Sequence, residues 1–248
     1  MKTKRIVAVA AVVLIVGLVV KMPASVLLHW ALPEAVQTSG ISGSIWRGHV
    51  DAVAVASVNA GPVDWQLHPF TLLTGKLAAT LQAELPGGFA DGRVALRGDR
   101  IWLEDTKLAV DLGQFTRYSS IGPSTGRARI DIQRAELRDL WPAELVAEMT
   151  VNNLAYPGVG TAPLGNYQLV FPETNNGDSS DINGTLTALD SAPYELDGTL
   201  TLSADRGYAL RGLIAAKSGV NAAYSRGLQF LGPADSEGRR QLVFEGTL

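Results

Sequence analysis

From about residue 40 onward, apolar and polar residues alternate, and this alternation constrains the fold more than any other feature. Successive side chains of a strand point to opposite faces, so a period of two marks a half-buried strand, whereas a helix repeats near 3.6. Leu77, Ala79, Leu81, Ala83 and Leu85 fall on one side, and Lys76, Thr80, Gln82 and Glu84 on the other. Val63, Trp65 and Leu67 oppose Asp64, Gln66 and His68. Ala128, Ile130 and Ile132 oppose Arg127, Arg129, Asp131 and Gln133; Leu196, Gly198, Leu200 and Leu202 oppose Glu195, Asp197, Thr199 and Thr201. One apolar face and one wetted face belong to antiparallel sheet.

The turn residues agree. Gly98-Asp99 separates two alternating runs and predicts a two-residue hairpin of type II′. Asp205-Arg206-Gly207 predicts a looser one, and Asn-Gly pairs at Asn176-Gly177 and Asn183-Gly184 add further turn signals. The 26 glycines and 12 prolines are spread along the chain rather than bunched. Roughly a dozen short strand candidates at even spacing predict an all-β meander. The expected exception is Arg134–Met149, where Leu137, Leu140, Trp141 and Leu145 approach helical spacing around Pro142. That stretch is expected to be a connector with a short helical turn between two sheet portions, about 40–133 and 146–248. The two portions can also form one continuous curved sheet, and the period serves a closed barrel and an open groove equally.

The amino terminus has a different character. Lys2, Lys4 and Arg5 precede an unbroken apolar run from Ile6 to Val20, and after Lys21 the chain is again mostly apolar to Leu32. A cleaved signal peptide and a retained signal anchor are the two readings. Lys21, Met22 and Pro23 stand where small residues of a cleavage site belong, which favours retention. The positive residues place the amino terminus in the cytoplasm. The expected organisation is a cytoplasmic tail at 1–5, a transmembrane anchor at 6–28 and a periplasmic β domain at 29–248.

Little points to catalysis. Net charge is −3, against the basic excess of nucleic-acid binders, so no nucleic-acid partner is expected. Cysteine is absent, which excludes disulfides, thiolate catalysis and cysteine-ligated zinc. His29, His49 and His68 have no metal-ligand spacing, and no metal or other cofactor is expected. Gly40–Ser44 misplaces a glycine for a nucleophile elbow. Lys217-Ser218-Gly219 lacks the partner motifs of penicillin-binding enzymes. Glu104-Asp105 and Asp178 with Asp181 read as solvated edges rather than acid–base pairs. No catalytic residue is assigned, and the chain is expected not to be an enzyme.

One stretch remains distinctive: Ile41–Val50, ISGSIWRGHV. It follows Pro23, Ala24, Leu27, Leu28 and Leu32-Pro33, and precedes Trp65, Leu67 and Pro69 and then Gly75 and Leu77. This order resembles the protein N family of the bacterial type II, or general, secretion pathway. That family's Ser-Gly-Thr-Leu-Trp-x-Gly signature is matched by Ser42, Gly43, Ser44, Ile45, Trp46 and Gly48, with Ser44 for threonine and Ile45 for leucine. The resemblance covers the first eighty or so residues. It implies a single-pass inner-membrane protein of a Gram-negative bacterium with a periplasmic β domain. It further implies a non-catalytic role in exporting folded proteins across the outer membrane, with other inner-membrane or periplasmic components of the pathway as partners, beside the lipid of the inner membrane. The Trp65, Leu67, Pro69 and Gly75, Leu77 pattern is also similar to the AsmA-like family of anchored β-groove proteins. That similarity implies the alternative, a groove that binds or transfers lipid. Ile45 and Trp46 are expected to be a core plug or a membrane-facing contact, with Arg47 and His49 in water.

Overall fold

The structure, a computed structural model, describes residues 21–25, 36–55, 58–115, 124–155, 163–173 and 181–247. The described residues form one antiparallel sheet of 14 strands. Its amino-terminal part comprises β1 (Val36–Ser39), β2 (Ser42–Gly43), β3 (Arg47–Val55), β4 (Val58–Leu67), β5 (Leu77–Leu85), β6 (Gly88–Arg97) and β7 (Arg100–Asp111). The rest comprises β8 (Thr125–Arg138), β9 (Trp141–Ala155), β10 (Gly165–Phe171), β11 (Ile182–Ala188), β12 (Tyr194–Leu202), β13 (Gly207–Ala216) and β14 (Arg240–Thr247). From β3 onward each strand pairs with the next in sequence; β1 and β2 both pair with β3. The predicted all-β antiparallel architecture is therefore present. Most of the predicted anchor lies outside the described residues, among which no helix is long and apolar enough to cross a membrane.

Register carries the alternation across the whole sheet. Val63 faces Ala83, Trp65 faces Leu81, Ala79 faces Val94 and Val94 faces Leu103. Leu103 faces Ala135, Ile130 faces Met149, Met149 faces Leu169 and Leu169 faces Leu186. The line continues through Gly198, Gly212 and Leu242. The apolar sides of all these strands thus form one continuous face.

That face is covered unevenly. Between β9 and β11, Ala147, Leu169, Phe171 and Ile182 are buried, with Ile132, Leu200 and Leu202 packed against them. Burial of a single sheet's face by its own neighbours requires the sheet to curl. The Trp141 indole N–H donates to the Ser203 carbonyl at 2.8 Å, joining the starts and ends of β9 and β12 across two intervening strands. Strands about 4.8 Å apart would otherwise hold these groups too far from each other. Register shifts in the β8–β9 pair supply local bends. A second cluster is closed by the segment between β13 and β14, which holds the short helix α1 (Ala222–Gly227). Leu228 from this segment is buried with Tyr194, Leu196 and Ile214. In the amino-terminal part of the face, Leu77, Leu81 and Leu96 are exposed. Val63, Leu81, Ala83, Ala90, Val94 and Leu103 there border a shallow apolar depression of about 190 Å³.

Of the two closures the period allowed, the open one is found among the described residues, with β1 and β14 at the sheet's two margins. The expected helical connector is corrected. β8 runs to Arg138, a tight turn holds Asp139 and Leu140 at φ 50° and 64°, and β9 begins at Trp141. The Gly98-Asp99 turn is as predicted, with Gly98 at φ 62°. Asn183-Gly184 is not a turn but lies inside β11, where a β-carbon on Gly184 would stand 2.6 Å from the Phe171 ring. Asn176-Gly177 lies outside the described residues.

Candidate contact site at the amino-terminal hairpin

The distinctive stretch folds into a hairpin whose local chemistry follows from its small residues. β2 pairs with the start of β3, Ser42 opposite His49 and Gly43 opposite Gly48. The turn between them is tied twice: the Ser44 N–H donates to the Arg47 carbonyl at 2.9 Å, and the Arg47 N–H donates to Ser44 Oγ at 3.3 Å. Gly43 adopts φ 87°, a left-handed conformation that disfavours any side chain. Gly48 leaves the space into which the Trp65 ring projects from β4. The Trp65 indole N–H then donates to the Ile45 carbonyl at 3.1 Å. Leu67 N–H donates to the Trp46 carbonyl at 2.8 Å, so the end of β4 is stitched to the hairpin turn.

The chain from the apolar amino terminus joins the same point. Pro23 bridges Ser44, and the Ile45 N–H donates to the Met22 carbonyl at 3.1 Å. Ala24 is buried. Two residues past the end of β4, Pro69 opens the 3-10 turn Pro69–Thr74, which ends on Gly75 in a left-handed conformation. Ser42, Gly43, Ser44, Ile45, Trp46, Gly48, Trp65 and Pro69 are thus brought together at one end of the sheet. Ile45 and Trp46 are half-buried, a position between the core plug and the fully presented contact expected for them.

The polar face here is ordered by charge. His49 Nδ1 lies 2.9 Å from Asp64 and Nε2 lies 3.2 Å from Asp51. The hydrogen bond to Asp64, helped by the two negative charges, raises the imidazole above its ordinary value. Arg47 donates to Gln66 at 3.0 Å. Further along the same face, Lys76 Nζ sits 4.3 Å from the centre of the Trp102 ring, a cation–π contact. The Trp102 N–H donates to Glu136 at 3.2 Å, and Arg138 donates to Glu136 at 2.8 Å. Arg138 accordingly holds the Glu136 carboxyl below the usual carboxylate range, with Trp102 and Arg100 adding to the effect and partial burial opposing it.

Among the described residues no group of three His, Cys, Asp or Glu side chains converges on a metal position. The residues missed by sequence reasoning are Phe70, Leu72 and Leu73, exposed on the turn that Pro69 begins. Their signal was an apolar cluster out of step with the period of two, in a stretch without an acidic residue between Asp64 and Glu84.

A single curled sheet with one apolar face, two open margins and a tied amino-terminal hairpin defines a β domain that offers surfaces for contact. A sequence model of the family described as type II secretion system (T2SS), protein N matches residues 34–243, and the chain belongs to that family. It is 26% identical over 260 residues to type II secretion system protein N of Aeromonas hydrophila, covering 100% of each chain. It is 37% identical over 71 residues to type II secretion system protein N of Vibrio cholerae, covering 28% of each chain. No solved structure matches the chain.

Proposed function

We propose that this protein is a non-catalytic accessory component of a type II secretion system, anchored in the inner membrane by the apolar run Ile6–Val20 within the expected span 6–28, with its β domain in the periplasm. It supports export of folded proteins across the outer membrane through contacts with other components of the pathway. The observation that carries this reading is the family match across residues 34–243. The apolar run Ile6–Val20 behind Lys2, Lys4 and Arg5 supports the topology. The margin strand β14, paired with β13 and carrying exposed Val243 and Phe244, supports polypeptide contact, since an open sheet edge offers unpaired backbone groups to another strand. The test is deletion of the gene in its own host. Proteins of this pathway should collect in the periplasm and be restored to the medium by the wild-type chain; unchanged secretion rejects the role.

A second reading is favoured by one specific observation, the uncovered apolar face around Leu81, Val94 and Leu103. On that reading the face holds lipid. Purification of residues 30–248 without detergent, extraction of the bound material and mass spectrometry decide it: stoichiometric lipid supports the groove, and its absence removes this reading.

A further inference from the structure

We propose that the 3-10 turn Pro69–Thr74 is a second membrane contact, seating Phe70 and Leu73 in the surface of an anionic phospholipid bilayer beside the anchor. The proposal rests on the anchor reading given above. Phe70 is 82% exposed and Leu73 is 86% exposed, with Leu72 exposed between them. Three large apolar side chains in a six-residue turn are poorly placed in water, and their position says what covers them.

The apolar run ends at Val20, two residues before Met22. Two residues span at most about 7 Å of extended chain. Met22 is held by the Ile45 N–H, and Pro23 by Ser44. The hairpin is therefore confined to the immediate neighbourhood of the anchor's end. The turn is fixed to that hairpin in turn: Leu67 donates to Trp46, and His68 donates to Ala78 at 2.8 Å, leaving Pro69 as the next residue. A bilayer that contains Ile6–Val20 thus lies beside Phe70 and Leu73.

Charge fits the same occupant. From Trp65 to Ala83 there is no carboxylate, and Lys76 follows the turn. Lys21 stands at the end of the apolar run, and Arg97 and Arg100 flank the Gly98-Asp99 turn at the same end of the sheet, two cations to the one carboxylate of Asp99. Apolar side chains framed by cations suit the boundary between headgroups and acyl chains of an anionic leaflet.

The absence of cysteine makes the test direct, because any introduced cysteine is unique. Four single variants of the full chain, Phe70→Cys, Leu73→Cys, Phe230→Cys and Val13→Cys, are spin-labelled and reconstituted in phosphatidylethanolamine–phosphatidylglycerol vesicles. Collision with oxygen and with a water-soluble nickel chelate is then measured. Phe230 is 77% exposed in the β13–β14 connection, at the opposite end of the meander, and serves as the water reference. Labels at 70 and 73 should collide with nickel several-fold less, and with oxygen more, than the label at 230. If 70 and 73 match 230 while 13 reports lipid, the anchor stands and this contact is wrong, leaving the turn to a protein partner. If 13 also reports water, the anchor reading fails and takes this proposal with it.

Discussion

The ring of Trp65 occupies the space that a side chain on Gly48 would need. The two residues face each other across β3 and β4, and the indole N–H reaches past Gly48 to the Ile45 carbonyl at 3.1 Å. A glycine and a tryptophan 17 positions apart are thereby one structural unit. Gly48→Ala should push the indole out of its seat and break that hydrogen bond. Overpacking of this kind costs about 1–3 kcal/mol. Urea denaturation of the detergent-solubilised chain, followed by tryptophan fluorescence, measures the change.

His49 makes the hairpin sensitive to pH. Its folded-state value is raised above 6.5 by Asp64 and Asp51. A raised value means that the stabilisation is fully present below the unfolded value and is lost as pH rises through the folded one. Asp64→Asn should return the titration of the His49 imidazole, followed by proton–nitrogen NMR, toward its ordinary value. No movement on that substitution would show that Asp64 does not govern it.

Glu136 responds in the opposite direction. Its carboxyl is depressed mainly by Arg138, and its side chain is only 16% exposed. The stabilisation it provides is present above the unfolded value and is lost as pH falls through the folded one. Arg138→Ala should raise the Glu136 titration midpoint, as read from its carboxyl carbon chemical shift.

The uneven cover of the apolar face predicts uneven sensitivity to truncation. Phe171→Ala removes a buried ring and should cost about 3–5 kcal/mol. Leu81→Ala, in the exposed part of the same face, should stay within about 0.5 kcal/mol. Equal losses in thermal or urea unfolding would mean that the amino-terminal part of the face is covered.

Trp141→Phe tests the curl. It keeps most of the ring and deletes the donor to Ser203, so a loss of about 1 kcal/mol is expected from the hydrogen bond. Hydrogen exchange at the Ser203–Gly207 turn should rise in the same variant.

Most strands were legible because each has one wet and one apolar side, and register simply extends that difference across the sheet. The β8–β9 turn was not. Register shifts between Ile132 and Arg134 and between Glu136 and Leu137 each offset the period by a residue. The apolar positions around them then drift from every second residue toward every third or fourth, which imitates a helix. Leu140 strengthened the imitation, although it sits exposed in the turn at φ 64°. Open and closed sheets share one period, so closure had to be read from which strands pair. Every candidate residue of the hairpin was visible, but the neighbouring Phe70 and Leu73 were passed over, because a turn imposes no repeat of its own and their one mark is a short apolar cluster out of step with the flanking period of two.

The neighbour-to-neighbour pairing from β3 to β14 also sets the order in which this chain can acquire structure. Each new strand needs only the strand before it, so most of the loops that must close are short, the segment between Ala216 and Arg240 excepted, and the entropy lost at most steps is small. A chain delivered amino end first can add strands to a growing template as they emerge. The curl and the Leu228 cover come late in that order, because Ser203 and Leu228 arrive after the strands they close over.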